Sequence, residues 1–351
     1  MAELASILRE IIDANGPVSV ANLMQLALQH PQYGYYVKGD PLGREGDFIT
    51  SPEVSQMFGE MIGVWLAAMW REKGKPDPFV LLELGPGHGT LMADALRASA
   101  HVQGFHKAMK LCFIESNQTL REKQKEKLSA EEINYFDDVS SLPSDVPLFV
   151  IANEFFDALP IHQYKATAQG WREIMVGQES GAFVFVEGAE NVVLPFPDAL
   201  PFYEISPMSV ALCRELSSRL AAQGGAALII DYGYDRPSGH LSLQAVSEHG
   251  AINPLEKIGE VDLTAHVDFG ALALTACKED LSTTPIIGQG AFLKNMGIDI
   301  RAHKLKKTAS TEQAKQIDED LSRLIDPSRM GTLFKVIAFG SDKKGEAIGF
   351  S

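Results

Sequence analysis

The sequence predicts an α/β protein built on a mostly parallel sheet, and three observations predict it. Short, almost wholly apolar runs occur at residues 79–84, 110–114, 147–152 and 226–230, the pattern of strands buried on both faces. Segments with apolar residues at helical spacing lie between them, at residues 120–128 and 209–222 among others. Where the first run ends, three alternate glycines, Gly85, Gly87 and Gly89, precede a return to helical spacing from Leu91. They mark a tight strand-to-helix turn.

That turn is the first candidate site. Glycine lets backbone N–H groups approach a ligand with no Cβ in the way, and a helix start adds partial positive charge. A dinucleotide fingerprint, Gly-x-Gly-x-x-Gly, would need glycine at position 90, where the chain has Thr90. The chain instead carries acidic-x-Gly-x-Gly-x-Gly from Glu83 to Gly89, which is similar to motif I of Rossmann-like methyltransferases. A tight turn with no ligand remains the alternative.

Composition narrows the classes. A chain of 351 residues can bury a large core, as one elaborated domain or two. The formal net charge of -15 argues against nucleic acid or an anionic membrane as the main partner. Cys112, Cys213 and Cys277 are odd in number and far apart, which disfavours a disulfide framework or a thiolate metal site and suits a reducing compartment. No His-Glu-x-x-His, Cys-x-x-Cys or Gly-x-Ser-x-Gly pattern occurs, so no metal is expected. The first 15 residues lack the character of a signal or transit peptide, and no apolar run approaches bilayer length. A cytoplasmic protein is expected, or one of the mitochondrial matrix if a transit peptide has been removed.

Along the chain, residues 3–14 and 19–30 read as two helices split by Gly16-Pro17, with Ser19 as cap. Tyr33, Tyr35 and Tyr36 follow, as an aromatic wall or a packed corner. Thr50-Ser51-Pro52-Glu53 predicts the start of one long helix, with Glu53 completing a capping box from Thr50 and Val54, Met57, Phe58, Met61, Ile62, Trp65, Leu66 and Met69 on its core face. Its free N-terminus could hold a carboxylate, which makes Asp47, Phe48 and Thr50 candidate substrate-binding residues. Glu115 ends the second strand, where ribose hydroxyls are bound in folds of this kind. Asp137 and Asp138 end a third, residues 132–136, with the adenine amine as expected partner. The fourth strand runs into Asn153-Glu154-Phe155-Phe156-Asp157, at the carboxyl edge where open α/β sheets bind ligands. An inserted hairpin at residues 172–186, a fifth strand ending at Asp231 and last strands at residues 284–287 and 333–339 complete the reading.

Several stretches together resemble the MidA-like family, whose mitochondrial members are protein-arginine methyltransferases assisting assembly of respiratory complex I. They are Gly46-Asp47-Phe48-Ile49-Thr50-Ser51-Pro52-Glu53, Glu83-Leu84-Gly85-Pro86-Gly87-His88-Gly89-Thr90, Asn153-Glu154-Phe155-Phe156-Asp157-Ala158-Leu159-Pro160, Asp231-Tyr232-Gly233, Ser242-Leu243-Gln244-Ala245 and Asp262-Leu263-Thr264-Ala265-His266-Val267-Asp268-Phe269. The resemblance implies a Rossmann-like class I methyltransferase fold, with a seven-stranded mostly parallel sheet and helices on both faces. It implies S-adenosylmethionine as methyl donor and, from the mitochondrial members, symmetric dimethylation of an arginine on a complex I subunit. Residues 1–75 would then form an N-terminal helical and substrate-lid region, and residues 76–351 the cofactor domain with insertions around 165–207 and 236–261. Glu83, Gly85, Gly87, Gly89, Glu115, Asp137, Asp138 and Asn153 are the expected cofactor residues.

An arginine acceptor sets its own requirement. The guanidinium stays protonated and must approach a positive sulfonium, so carboxylates have to offset the repulsion. Glu154 and Asp157 are the candidates, with Asn153 beside them, although Asp157 could equally cap the next helix. Phe155 and Phe156 are candidates for excluding water around the acceptor. A lysine or small-molecule methyltransferase, a non-catalytic cofactor-binding assembly chaperone and, distantly, a nicotinamide dehydrogenase are the competing readings.

Overall fold

The computed structural model describes residues 3–37, 50–194, 200–247, 250–340 and 347–350. Its contacts divide the chain into two compact units. The first comprises Met1–Phe48, Phe156–Ala211 and Asp235–Asp268; the second comprises Ile49–Phe155, Leu212–Tyr234 and Phe269–Ser351.

In the second unit the apolar runs become strands β1 Phe79–Leu84, β2 Met109–Ile114, β3 Ile133–Phe136, β4 Leu148–Asn153, β5 Gly225–Tyr234, β6 Ile287–Gly288 and β7 Phe334–Phe339. Their order is β6-β7-β5-β4-β1-β2-β3, with β7 antiparallel to both its neighbours and the pairs from β5 to β3 parallel. Every residue of β1 and β4 is buried, which is why neither shows polar alternation. Register levels the strand ends: Leu84 pairs with both Ile114 and Ala152, and Ile230 pairs with Asn153. The turns after β1, β2, β4 and β5 therefore share one rim.

The long helix predicted from Thr50 is two helices. Ser51–Val54 is followed by Ser55 in extended conformation (φ -159°, ψ 138°), whose hydroxyl caps Gln56–Glu72. Thr50 makes no side-chain cap bond, so the expected capping box is absent. The apolar face of Gln56–Glu72 is as expected, and it joins the core around β1 and β4. Gly59 and Gly63 let this helix sit against Thr90–Ser99: a Cβ at Gly63 would lie 2.3 Å from the Ala95 carbonyl oxygen. The glycine turn thus leads into a helix held along its length.

The first unit packs helices Glu3–Asn15 and Val20–Gln29 with an antiparallel sheet that includes His162–Thr167, Gly170–Glu179 and Phe202–Ile205. Ser19 caps its helix as expected, accepting from the Asn22 N–H. The hairpin is longer than predicted, Gly170–Glu179 paired with Ala182–Val192, because past Val186 the outer strand is mostly exposed and lacks an apolar run. Tyr36 is a packed corner, donating its hydroxyl to Asp262 Oδ2 at 2.8 Å. Burial first, then the nearby Asp262 and Asp157 charges, push its pKa well up.

The contacts divide the N-terminal part of the chain between Phe48 and Ile49. The helix Gln56–Glu72 belongs with the sheet because its apolar face lies in that sheet's core. The stretches read as insertions cluster with the N-terminal helices.

Candidate active site

The three glycines of the turn all have left-handed backbones, with φ of 58°, 54° and 75° at Gly85, Gly87 and Gly89. A side chain there is strained, and at Gly85 it is also obstructed: a Cβ would meet Phe155 Cδ2 at 2.8 Å. The Phe155 ring therefore lies directly over the turn. Thr90, which breaks the dinucleotide fingerprint, donates its hydroxyl to Glu53 Oε1 at 2.6 Å. His88 Nδ1 stands 3.5 Å from the same oxygen, and these two bonds, His88's first, hold the Glu53 carboxyl down at about 2. Glu53 thus braces the turn in place of capping its own helix.

A second brace comes from a residue that sequence reading missed. Gln124 is fully buried and donates through Nε2 both to the Gly87 carbonyl (2.7 Å) and to Glu115 Oε2 (3.2 Å). Glu115 Oε1 accepts the Asn117 N–H at 2.8 Å. The Glu115 carboxylate is 9% exposed and its pKa is raised, chiefly by burial. It is thereby fixed at the end of β2, beside the turn, in the position expected for a group that takes ribose hydroxyls.

Two acceptors at this rim lack hydrogen-bond partners among the described residues, Glu83 Oε2 and Asn153 Oδ1, and both are buried. Burial raises the Glu83 pKa to about 8. Orphaned acceptors at the ends of β1 and β4 suit a ligand that brings donors, as an amino-acid ammonium does. The folded protein holds the Glu83 proton more tightly than the unfolded chain, whose value is near 4.5. Its contribution to stability is therefore greatest at low pH and is lost as pH rises towards about 8. Glu83→Gln is expected to abolish a stability loss on the order of a few kcal/mol between about pH 5 and about pH 8. Denaturant unfolding at both pH values checks it; identical slopes for the two proteins would contradict it.

Beyond β4 the chain turns sharply, with Glu154 at φ 51°. Asp231, fully buried at the level of β4's end, holds the turn by accepting the Phe155 N–H through Oδ2 (3.1 Å) and the Tyr232 N–H through Oδ1 (2.8 Å). Glu154 Oε1 accepts the Ser51 N–H at 2.7 Å and the Asn153 side-chain amide at 3.2 Å. The free helix end foreseen near Thr50 is thus met by the chain's own carboxylate. Burial raises the Glu154 carboxyl pKa to about 7, against the hydrogen bonds from Ser51 and Asn153, which lower it.

The structure brings Glu83, Gly85, Gly87, Gly89, Glu115, Asn153, Glu154 and Phe155 to one rim of the second unit. Thr50 is at the start of the short helix there, without a capping bond. Asp138 caps its own turn through the Ser140 N–H (2.8 Å), and Asp137 lies exposed, 3.4 Å from Arg121. Phe156 and Asp157 belong to the first unit, and both are buried. The Asp157 carbonyl accepts the Ala265 N–H at 2.9 Å. Asp47 and Phe48 lie outside the described residues. Gln124 carried no local signal of a role, and Ser51 and Asp231, although they stand in stretches singled out by the sequence, gave no sign of their distant partners Glu154 and Phe155. Among the described residues no group of His, Cys, Asp or Glu could hold a metal ion, and no helix is long and apolar enough to cross a membrane.

Left-handed glycines after β1, a carboxylate closing β2 and unpaired acceptors at the ends of β1 and β4 are chemically suited to S-adenosylmethionine, which the residues present fit. The family model described as "Putative S-adenosyl-L-methionine-dependent methyltransferase" matches residues 61–287, and the chain belongs to that family. It is a methyltransferase that uses S-adenosylmethionine as donor. Among its relatives, protein arginine methyltransferase NDUFAF7, mitochondrial, of Danio rerio is 36% identical, over 92% of this chain and 83% of that protein. The Homo sapiens protein of the same name is 36% identical over 93% and 81%. A crystal structure described as that of a "likely methyl transferase from Burkholderia thailandensis bound to S-adenosyl-homocysteine" superposes with a TM-score of 0.86 at 29% identity, covering 99% of this chain and 94% of that one.

Proposed function

We propose that the chain methylates an arginine side chain of a protein, with Glu154 as the carboxylate that receives the guanidinium. The observation that carries this reading is the placement of Glu154: a partly buried carboxylate just past the end of β4, on the same rim as the glycine turn and Glu115, held there by the Ser51 N–H and the Asn153 side-chain amide. The names of the relatives, protein arginine methyltransferases, support the acceptor class.

The donor supplies an electrophilic methyl carried on a positive sulfur. Glu83 and Asn153 would take the donor's ammonium, Glu115 its ribose, and the backbone at residues 85–89 would lie against its methionine portion. Ionised Glu154 then offsets the charge of the guanidinium and orients one nitrogen towards the methyl, so that positioning does most of the work. As the N–C bond forms and the S–C bond breaks, the guanidinium nitrogen gives up a proton, and Glu154 is the base within reach. Phe155, over the glycine turn, keeps water from the reacting carbon.

The acceptor we propose is an arginine on a peripheral-arm subunit of respiratory complex I, symmetrically dimethylated, with the enzyme in the bacterial cytoplasm. Incubation of the purified chain with deuterium-labelled donor and cell extract, followed by peptide mass spectrometry, tests it. The label is expected on arginine, as the symmetric dimethyl form. Label on lysine or on small molecules would overturn the acceptor class, and label on an arginine of an unrelated protein would overturn the proposed target.

A further inference from the structure

A cleft of about 330 Å³ opens on the second unit where β5 and β7 meet. Tyr232 and Phe334 form one wall, ring centroids 4.0 Å apart, and Met330 and Leu333 form another. Leu333 is an exposed large apolar residue. Arg323 lines the same cleft and, among the described residues, makes no hydrogen bond or ion pair, whereas the other two charged residues that line it, Arg329 and Glu319, are ion-paired with each other. A partly buried, unengaged guanidinium is unusual in a chain of net charge -15, where carboxylates are plentiful.

Position in the sheet separates this cleft from the donor. The order β7-β5-β4-β1-β2 puts Glu115 and the glycine turn on one side of Glu154 and the Arg323 cleft on the other. The charge of Arg323 reaches Glu154, where it opposes the effect of burial on the carboxyl.

We infer that the Arg323 cleft is an acceptor subsite that receives an acidic side chain, Asp or Glu, of the polypeptide being methylated, at a fixed offset from the modified residue. The inference rests on the proposed protein acceptor. Arg323 offers its planar donor fork to a carboxylate, while Tyr232, Met330 and Leu333 cover the methylenes. A polyanion such as nucleic acid is disfavoured by the chain's overall negative charge, which a single carboxylate escapes.

The test uses a peptide library with a central arginine and randomised flanks, retained on the full chain in the presence of S-adenosyl-homocysteine and then sequenced. Wild type is expected to enrich Asp or Glu over Asn or Gln at one offset by at least about fivefold. Arg323→Gln should erase that enrichment with unchanged S-adenosyl-homocysteine binding by calorimetry, and Arg323→Lys should keep part of it. No retained peptides, no acidic enrichment by wild type, or equal enrichment by Arg323→Gln would each overturn the subsite. Acidic enrichment that persists when the central arginine is replaced by lysine, with no methyl transferred to arginine, would instead sink the arginine reading and leave the subsite standing. Arginine methylation without acidic preference would do the reverse.

Discussion

Glu154→Gln is expected to lower the turnover number by about 10²–10³-fold or more while leaving donor affinity within about threefold of wild type. The amide is the same size, and its oxygen can still accept the Ser51 N–H, so the turn held by Asp231 keeps its shape. What is lost is a negative charge just past the end of β4, on the rim where the donor is proposed to lie. Without it the guanidinium meets the sulfonium unscreened, in a site where low dielectric magnifies the repulsion. The wild-type pH profile supplies a second reading. With the Glu154 carboxyl near 7 in the free enzyme, kcat/KM should rise with pH through about 7 and then level. A bound cation favours the ionised form, so the corresponding rise in kcat should fall at lower pH. Turnover by Glu154→Gln equal to wild type would remove Glu154 from the reaction.

Gly87→Val is the second large effect, expected to weaken donor binding by at least about 100-fold. A β-branched residue at φ 54° costs on the order of 1–3 kcal/mol in backbone strain alone. Relief of that strain would move the Gly87 carbonyl, which anchors Gln124 and through it Glu115, so the turn and the carboxylate proposed to take the ribose would be disturbed together. Gly74→Val is the matching control, since Gly74 has φ 83° in the same unit and no atoms within 4 Å of a built Cβ. It should lose comparable stability and keep full donor affinity. Calorimetry on both folded variants separates local strain from the ligand's requirement. Full-strength binding by Gly87→Val would refute the placement of the turn.

Much of the second unit was legible because strands in the middle of such a sheet are largely apolar, and β1, β2, β4, β5 and β7 announce themselves that way. The glycine turn, Glu115 and the acidic stretch after β4 followed from where such strands end. The helix break at Ser55 was not legible: Thr50-Ser51-Pro52-Glu53 satisfies every local rule for a helix start, yet Glu53 bonds to Thr90 rather than to its own helix. Tertiary partners outbid local capping there. The same holds for Ser51 with Glu154, Gln124 with Gly87 and Asp231 with Phe155, pairs 103, 37 and 76 residues apart. Asp138 failed in the opposite sense, its carboxylate being taken up locally by Ser140. Nor could residues 156–211 and 235–268 be assigned to the N-terminal helices from sequence, because periodicity shows which face is buried but not what covers it.

A crystal structure of the chain with S-adenosyl-homocysteine tests the central claim most directly. The ribose should lie on Glu115, the ammonium on Glu83 and Asn153, and the sulfur should face the Glu154 carboxylate with room between them for one guanidinium. A rim left empty at saturating ligand, or a sulfur directed away from Glu154, would contradict it.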